Sequence, residues 1–222
     1  LRPPSGQVSS GMNRNQDRDD RAENDRASLS LQSQEVEEGC VECGLCQNNC
    51  LFLQKYGLPK EIAAQNRSPS PRPVISFECS LCGLCTAVCP KKIDPAAMFF
   101  TMRLVAKSGG EKTSPRHRSL LSYERWGGSP VFSWYGLPQG CDTVFFPGCA
   151  MAGSRASRTL QVYQHLRKTI PSLGMVLDCC TKPSHDLARK DYFSHMVGAV
   201  REALAKQGIL RVLVACPSCY RV

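Results

Sequence analysis

The 222-residue sequence contains no apolar run approaching the roughly 18 residues that a bilayer-spanning helix requires. Its opening stretch, LRPPSGQVSSGMNRNQDRDD, lacks the apolar centre of a secretory signal and has no initiating Met. The first absence excludes a membrane-spanning helix, the second leaves the cytosol as the expected compartment, and the third suggests a fragment or processed product. Also missing are a helix-turn-helix, a zinc-finger spacing and an RNA-binding aromatic motif, so the net charge of +9 meets no nucleic-acid site. Arginines and acids balance before residue 35, Glu35, Glu37, Glu38 and Glu42 follow, and the positive excess lies after Cys50. That distribution is read as a solvated surface for docking partners.

Cysteine is abundant, with 14 residues, and a 42% hydrophobic content suffices for a core. In a cytosolic chain, clustered cysteines hold metal more often than they form disulfides. CVECGLCQNNC places Cys40, Cys43, Cys46 and Cys50 at C-x2-C-x2-C-x3-C, and CSLCGLCTAVCP repeats the spacing with Cys79, Cys82, Cys85 and Cys89. In two-cluster ferredoxins the first three thiolates of such a run wrap one 4Fe-4S cluster and the fourth ligates the other. One cluster is then expected on Cys40, Cys43, Cys46 and Cys89, and a second on Cys79, Cys82, Cys85 and Cys50. Gly44 and Gly83 follow the second cysteine of each run, where a side chain would crowd a sulfur. Structural zinc prefers two separated C-x2-C pairs, a division neither run offers. Leu51 replaces the Pro usual after the fourth cysteine, whereas Pro90 keeps it.

Along the chain, residues 1–34 are polar with almost no large apolar side chain and are expected to be disordered. Residues 35–106 form the cysteine-dense domain, broken by the Pro-rich loop NRSPSPRP. Residues 107–140 read as a linker, in which Trp126 and Trp134 pack the connector onto a domain. From 141 to 222 the pattern changes. DTVFF, GMVLD and RVLVA are short strands, separated by helices over 155–170 and 186–208, the second placing Phe193, Val197, Val200 and Leu204 on one face. Strand, helix, strand, helix, strand implies a parallel sheet with right-handed crossovers. The expected fold is α+β overall, a helical two-cluster ferredoxin-like domain followed by a parallel α/β domain that the chain's end truncates.

Cys149 follows the first of these strands, Cys179 and Cys180 the second, and Cys216 and Cys219 the third. Parallel strand ends line one sheet edge, where ligand sites form, so five sulfurs converge there around the adjacent pair. Cys141 precedes its strand, at the opposite edge, and reads as a buried or free thiol. His185 stands close enough to the doublet to serve a sulfur, against a plain surface role. Ser184 is expected to cap the second helix with Asp186 in its first turn. His195 and Met196 are expected to pack, while Asp178, Lys182 and Arg189 are charges near the doublet.

PGC149, Cys179-Cys180 and Cys216-x2-Cys219 resemble the cysteine-rich CCG domain found in the B-type subunit of heterodisulfide reductase, and the preceding motif pair is similar to the C-type subunit of the same enzyme. Fusions of the two occur in the D-type heterodisulfide reductases, in a sulfite-reduction-associated membrane complex, and in the iron-sulfur subunits of glycolate oxidase and anaerobic glycerol-3-phosphate dehydrogenase. The resemblance covers residues 36–222. It departs at Thr181, which stands where the family name has Gly, and in carrying one five-cysteine motif where the B type has two. It implies that Cys149, Cys179, Cys180, Cys216 and Cys219 carry a non-cubane 4Fe-4S cluster handling a two-electron acceptor. Zinc or a redox thiol site remain the alternatives there. The expected function is an electron-transfer subunit of an oxidoreductase, docked to a flavoprotein dehydrogenase or to a membrane cytochrome that would hold it at the inner membrane face. A non-catalytic relay or adaptor with a structural zinc site is the competing reading.

Overall fold

The structure, a computed structural model, describes residues 14–222. It mixes helices with one four-stranded sheet and divides into two compact units. Among the described residues, one unit comprises 14–112 with Asp186–Ala188, and the other Thr113–His185 with Arg189–Val222.

The first unit is helical. Helix α1 (Arg14–Gly39) packs on α3 (Pro59–Asn66) and α5 (Pro95–Ser108), with α2 (Leu51–Tyr56) and the short α4 (Leu84–Ala87) between the motifs. The disorder expected for 1–34 is therefore corrected over residues 14–34, while residues 1–13 lie outside the described part. Ala22, Leu29, Ser33 and Val36 are buried at helical spacing and form a narrow stripe on an otherwise polar helix. Composition averaged over all faces hides such a stripe. Arg67 Nη1 binds Glu37 Oε2 at 2.9 Å and fastens the end of α3 to α1.

Helix α5 begins where Asp94 Oδ1 accepts from the Ala97 N–H at 3.1 Å, with Pro95 in the first turn. Met98, Phe99 and Met102 on α5 are fully buried against Leu53 and Ile62, each worth about 1.5–3 kcal/mol of transfer free energy. Cys40, Cys46, Cys50, Cys79 and Cys89 pack against this same core.

The second unit is built on a sheet of order β1-β3-β2-β4, with β1 (Trp134–Gly136), β2 (Thr143–Phe146), β3 (Gly174–Leu177) and β4 (Arg211–Val214). Strand β2 runs parallel to both β3 and β4, and β1 is an antiparallel edge strand on β3. Strand β1 and helix α6 (Arg118–Gly127) lie in the stretch expected as a linker. Its polar composition concealed a strand whose partner, β3, lies far downstream. Helices α7 (Cys149–Ser154) and α8 (Ala156–Arg167) connect β2 to β3, and Val144, Phe146, Val176 and Leu204 form the core.

The helix expected over 186–208 is two: α9 (Lys182–Asp186) and α10 (Lys190–Lys206). Ala188 between them has φ +55°, which breaks a continuous helix. Ser184 therefore lies inside α9 and Asp186 at its end, so neither holds the capping position expected of it. His195, expected to pack, is exposed. Phe193, Val197 and Val200 are half-buried and Leu204 is buried. The chain closes with α11 (Pro217–Tyr220).

Candidate metal centres

In the first unit the two motifs share two left-handed positions, although only the second goes on into a helix, α4. Glu42 and Leu81, each just before the second cysteine of its motif, have φ of +55° and +51°, and Gly44 and Gly83 have φ of +73° and +78°. An added Cβ at Gly44 would meet no protein atom within 4 Å, so within the chain the demand for glycine there is conformational. The Leu81 N–H donates to Cys79 Sγ at 3.4 Å, so the turn aims a backbone dipole at a sulfur.

Cys40, Cys43 and Cys46 line one cavity together with Cys85 and Cys89 of the second motif. Burial raises the Cys46 thiol pKa, with Cys40, Cys43 and Cys89 adding to the rise. Burial likewise raises Cys79, where Cys50 and Cys82 contribute, and pushes Cys85 up to about 12, where Cys79 contributes. The structure places Cys89 beside Cys40, Cys43 and Cys46, and Cys50 and Cys82 near Cys79, with Cys85 close to both Cys79 and Cys46. Thiols held protonated in this way release protons when a metal replaces them.

Spacing gave no hint of Arg103. It is buried on α5 and donates from Nε and Nη2 to the Ser76 carbonyl at 3.0 and 2.8 Å, and from Nη2 to the Cys79 carbonyl. Burial lowers its pKa and the nearby Cys79 raises it. A fixed cation holding the backbone of Cys79 fixes where its sulfur sits.

In the second unit the parallel strands β2, β3 and β4 point their C-terminal ends to one edge. Cys149 opens α7 beyond β2, Cys179 and Cys180 follow β3, and Cys216 and Cys219 flank the start of α11 beyond β4. Cys179 Sγ donates to Cys149 Sγ at 3.7 Å, and Cys219 Sγ donates to Cys180 Sγ at 3.4 Å. Each pair shares a proton unequally. Cys149 is pushed down to about 7 by the hydrogen bond from Cys179, whose own pKa rises, and Cys180 is lowered by Cys219, which rises in turn with Cys216 adding to it. Among the described residues no group of three or more His, Cys, Asp or Glu side chains is closed around one metal ion.

Two glycines leave room at this edge. A Cβ on Gly148, which has φ +82°, would lie 3.0 Å from Cys219 Sγ, and one on Gly127 would lie 3.0 Å from Cys149 Cβ. Thr181, directly after the doublet, has φ +51°, is fully buried, and its Oγ1 has no hydrogen-bond partner. An unpaired buried hydroxyl costs about 1–3 kcal/mol, and a β-branched residue in the left-handed region adds strain. Paired sulfurs, glycine clearance and an orphan donor suit a thiolate-bound group in their chemistry.

Asp178 Oδ2 accepts from the Tyr135 hydroxyl and Oδ1 from the Cys179 N–H, both at 2.7 Å, which holds the loop that carries the doublet. Glu124, on α6, is buried and accepts from the Ser184 N–H at 2.7 Å and from the Ser184 hydroxyl. Arg189 Nη1 donates to Ser184 Oγ at 3.1 Å and its guanidinium lies over Tyr192, while Lys182 Nζ stands 3.5 Å from His185 Nδ1. The His185 ring packs edge-on against Phe193, with ring centres 4.8 Å apart. Cys141 stays away from the strand-end thiols and donates to the Thr143 carbonyl at 3.2 Å. Trp126 and Trp134 are half or more exposed rather than packed away, and Trp126 lines a cavity of about 290 Å³ with Tyr123, Phe132 and Cys149. The motif gave no sign of Glu124, because a buried carboxylate in SYERW looks like any surface acid until its partner is known.

Residues 37–93 match the 4Fe-4S dicluster domain family. Over 209 residues the chain is 24% identical to one subunit of the fumarate reductase (CoM/CoB) of Methanothermobacter marburgensis, a match covering 82% of this chain and 42% of that protein. The chain thus spans about two-fifths of the length of that relative. No solved structure matches. The dicluster match and the thiol geometry make this an iron-sulfur protein of the electron-transfer class. No helix among the described residues is long and apolar enough to cross a membrane.

Proposed function

We propose that the chain is an iron-sulfur subunit of a reductase complex, carrying electrons through two 4Fe-4S clusters to a third, five-cysteine redox centre of heterodisulfide-reductase type. The clusters sit on Cys40, Cys43, Cys46 with Cys89 and on Cys79, Cys82, Cys85 with Cys50, and the third centre on Cys149, Cys179, Cys180, Cys216 and Cys219. The observation that carries the reading is the meeting of Cys149 with Cys179 and of Cys180 with Cys219 at the ends of three parallel strands. The similarity to part of a methanogen reductase points the same way. The domain arrangement is a helical two-cluster domain followed by a CCG-type α/β domain.

Bound iron-sulfur groups supply one-electron steps, and two of them in succession serve a two-electron acceptor. The chain's own residues do the rest. The left-handed turns at Glu42, Gly44, Leu81 and Gly83 shape the backbone around the first two sites, and Arg103 fixes the Cys79 carbonyl. Asp178 orders the doublet loop through the Cys179 N–H, and Tyr123 donates to the Cys149 carbonyl at 3.0 Å. Electrons arrive from, or leave to, a flavoprotein dehydrogenase or a membrane cytochrome that docks on the chain.

Iron, sulfide and zinc analysis with low-temperature EPR on anaerobically purified protein tests the reading. It requires about 12 irons and a third signal distinct from two cubane signals. About eight irons with one zinc would make the second unit a structural module and the chain a relay or adaptor. Cys180→Ser is expected to remove the third signal alone; equal loss of all three would argue against separate centres.

A further inference from the structure

Two turns in the chain share one backbone device. Leu81 lies two residues after Cys79 and Thr181 two residues after Cys179; both have φ +51°, and each N–H donates to the sulfur of its cysteine at 3.4 Å. The side chains differ. Leu81 turns an apolar group into the core of its unit, whereas Thr181 brings a hydroxyl that is fully buried and has no partner among the described residues. Glycine at that position would relieve both the left-handed strain and the orphan donor.

Other polar side chains near the doublet are engaged. Asp178 accepts from Tyr135 and from the Cys179 N–H, and Ser184 donates to Glu124 and accepts from Arg189. The sulfurs of Cys149, Cys179, Cys180 and Cys219 also cluster at this sheet edge and can accept.

We propose that the Thr181 hydroxyl donates a hydrogen bond to a sulfur of the group held by the strand-end cysteines, and so raises its reduction potential. The inference rests on the five-cysteine centre proposed above. Reduction adds negative charge to the sulfurs, so a donor aimed at one favours the reduced form, and hydrogen bonds to sulfur are among the determinants of such potentials. The backbone N–H of the same residue reaches Cys179, so Thr181 supplies two donors to one site where Leu81 supplies one to its own. Its role is to position and tune the group, and no bond of the substrate is broken by it.

The test compares Thr181→Ser, Thr181→Val and Thr181→Gly in the full chain, assembled with iron and sulfide under anaerobic conditions. Iron content, EPR-monitored redox titration and the exchangeable-proton couplings of the third signal in H2O and D2O are read for each. Ser should keep the parent potential and couplings. Val and Gly should lose one exchangeable coupling and shift the one-electron equilibrium toward the oxidised form by about tenfold, or about 59 mV. Val is nearly the same shape as Thr, so a purely structural role would leave its potential and couplings in place, and that result with iron intact overturns the inference. Selective loss of the third signal in Val with its retention in Ser would also support contact between the hydroxyl and the bound group. Absence of a third signal in the parent protein would overturn the five-cysteine reading and the inference with it.

Discussion

Glu124 provides the most direct measure of how the second unit is held together. Its carboxylate is 1% exposed and accepts from both the backbone N–H and the hydroxyl of Ser184, which carry the loop after the doublet. Replacing it with Ala strands two buried donors at about 1–3 kcal/mol each, so Glu124→Ala should cost about 3 kcal/mol. For a unit of this size that lowers the midpoint by roughly 10–20 °C. Both tryptophans, Trp126 and Trp134, belong to this unit, so thermal unfolding followed by their fluorescence at fixed metal loading reports on it alone. Glu124→Gln keeps an acceptor and should cost under about 1 kcal/mol. A double-mutant cycle with Ser184→Ala should recover a coupling of about 1–3 kcal/mol. Burial raises the Glu124 pKa, against the lowering effect of the Ser184 hydrogen bonds. The folded chain therefore binds this proton more tightly than the unfolded one, and its contribution to stability, complete below the unfolded value, falls as pH rises through the folded value. Gln should flatten that slope. A Glu124→Ala midpoint within about 0.5 kcal/mol of the parent would refute the account of Glu124 as the anchor of Ser184.

Arg103→Met should strand the Ser76 and Cys79 carbonyls, cost about 2–4 kcal/mol, and lower iron in the first unit, as read by thermal unfolding and iron assay. Cys85→Ser is expected to lose about four irons while the EPR signal assigned to Cys40, Cys43, Cys46 and Cys89 persists. Gly148→Ala forces a Cβ onto Cys219 Sγ at a left-handed position, so it should cost about 1–3 kcal/mol and reduce metal in the second unit, leaving dicluster iron unchanged by analysis.

The dicluster region was legible because the C-x2-C-x2-C-x3-C spacing is compact and occurs twice within residues 37–93. Strands β2, β3 and β4 lie within DTVFF, GMVLD and RVLVA, since short runs rich in β-branched and aromatic residues bounded by Gly, Pro or Asp carry their own signal. What stayed hidden depends on partners distant in sequence. Glu124 and Ser184 lie 60 residues apart, Arg103 and Ser76 27 apart, and neither pair leaves a periodic trace. Helix α1 was hidden by its own composition, since only Leu29 and Val36 among its large apolar residues are buried. The break at Ala188 was unreadable because the helical pattern of 186–208 continues through it.

The cavity lined by Cys40, Cys43 and Cys46 draws its remaining thiols, Cys85 and Cys89, from the second motif, and Cys89 is the one grouped with the first three by spacing. Synthesis runs from the N-terminus, so a nascent chain displays three of these thiols while the fourth is still unmade. A group spanning all four cannot be closed in until residue 89 has emerged from the ribosome. A group bound by all four would therefore be enclosed only after both motifs had been translated.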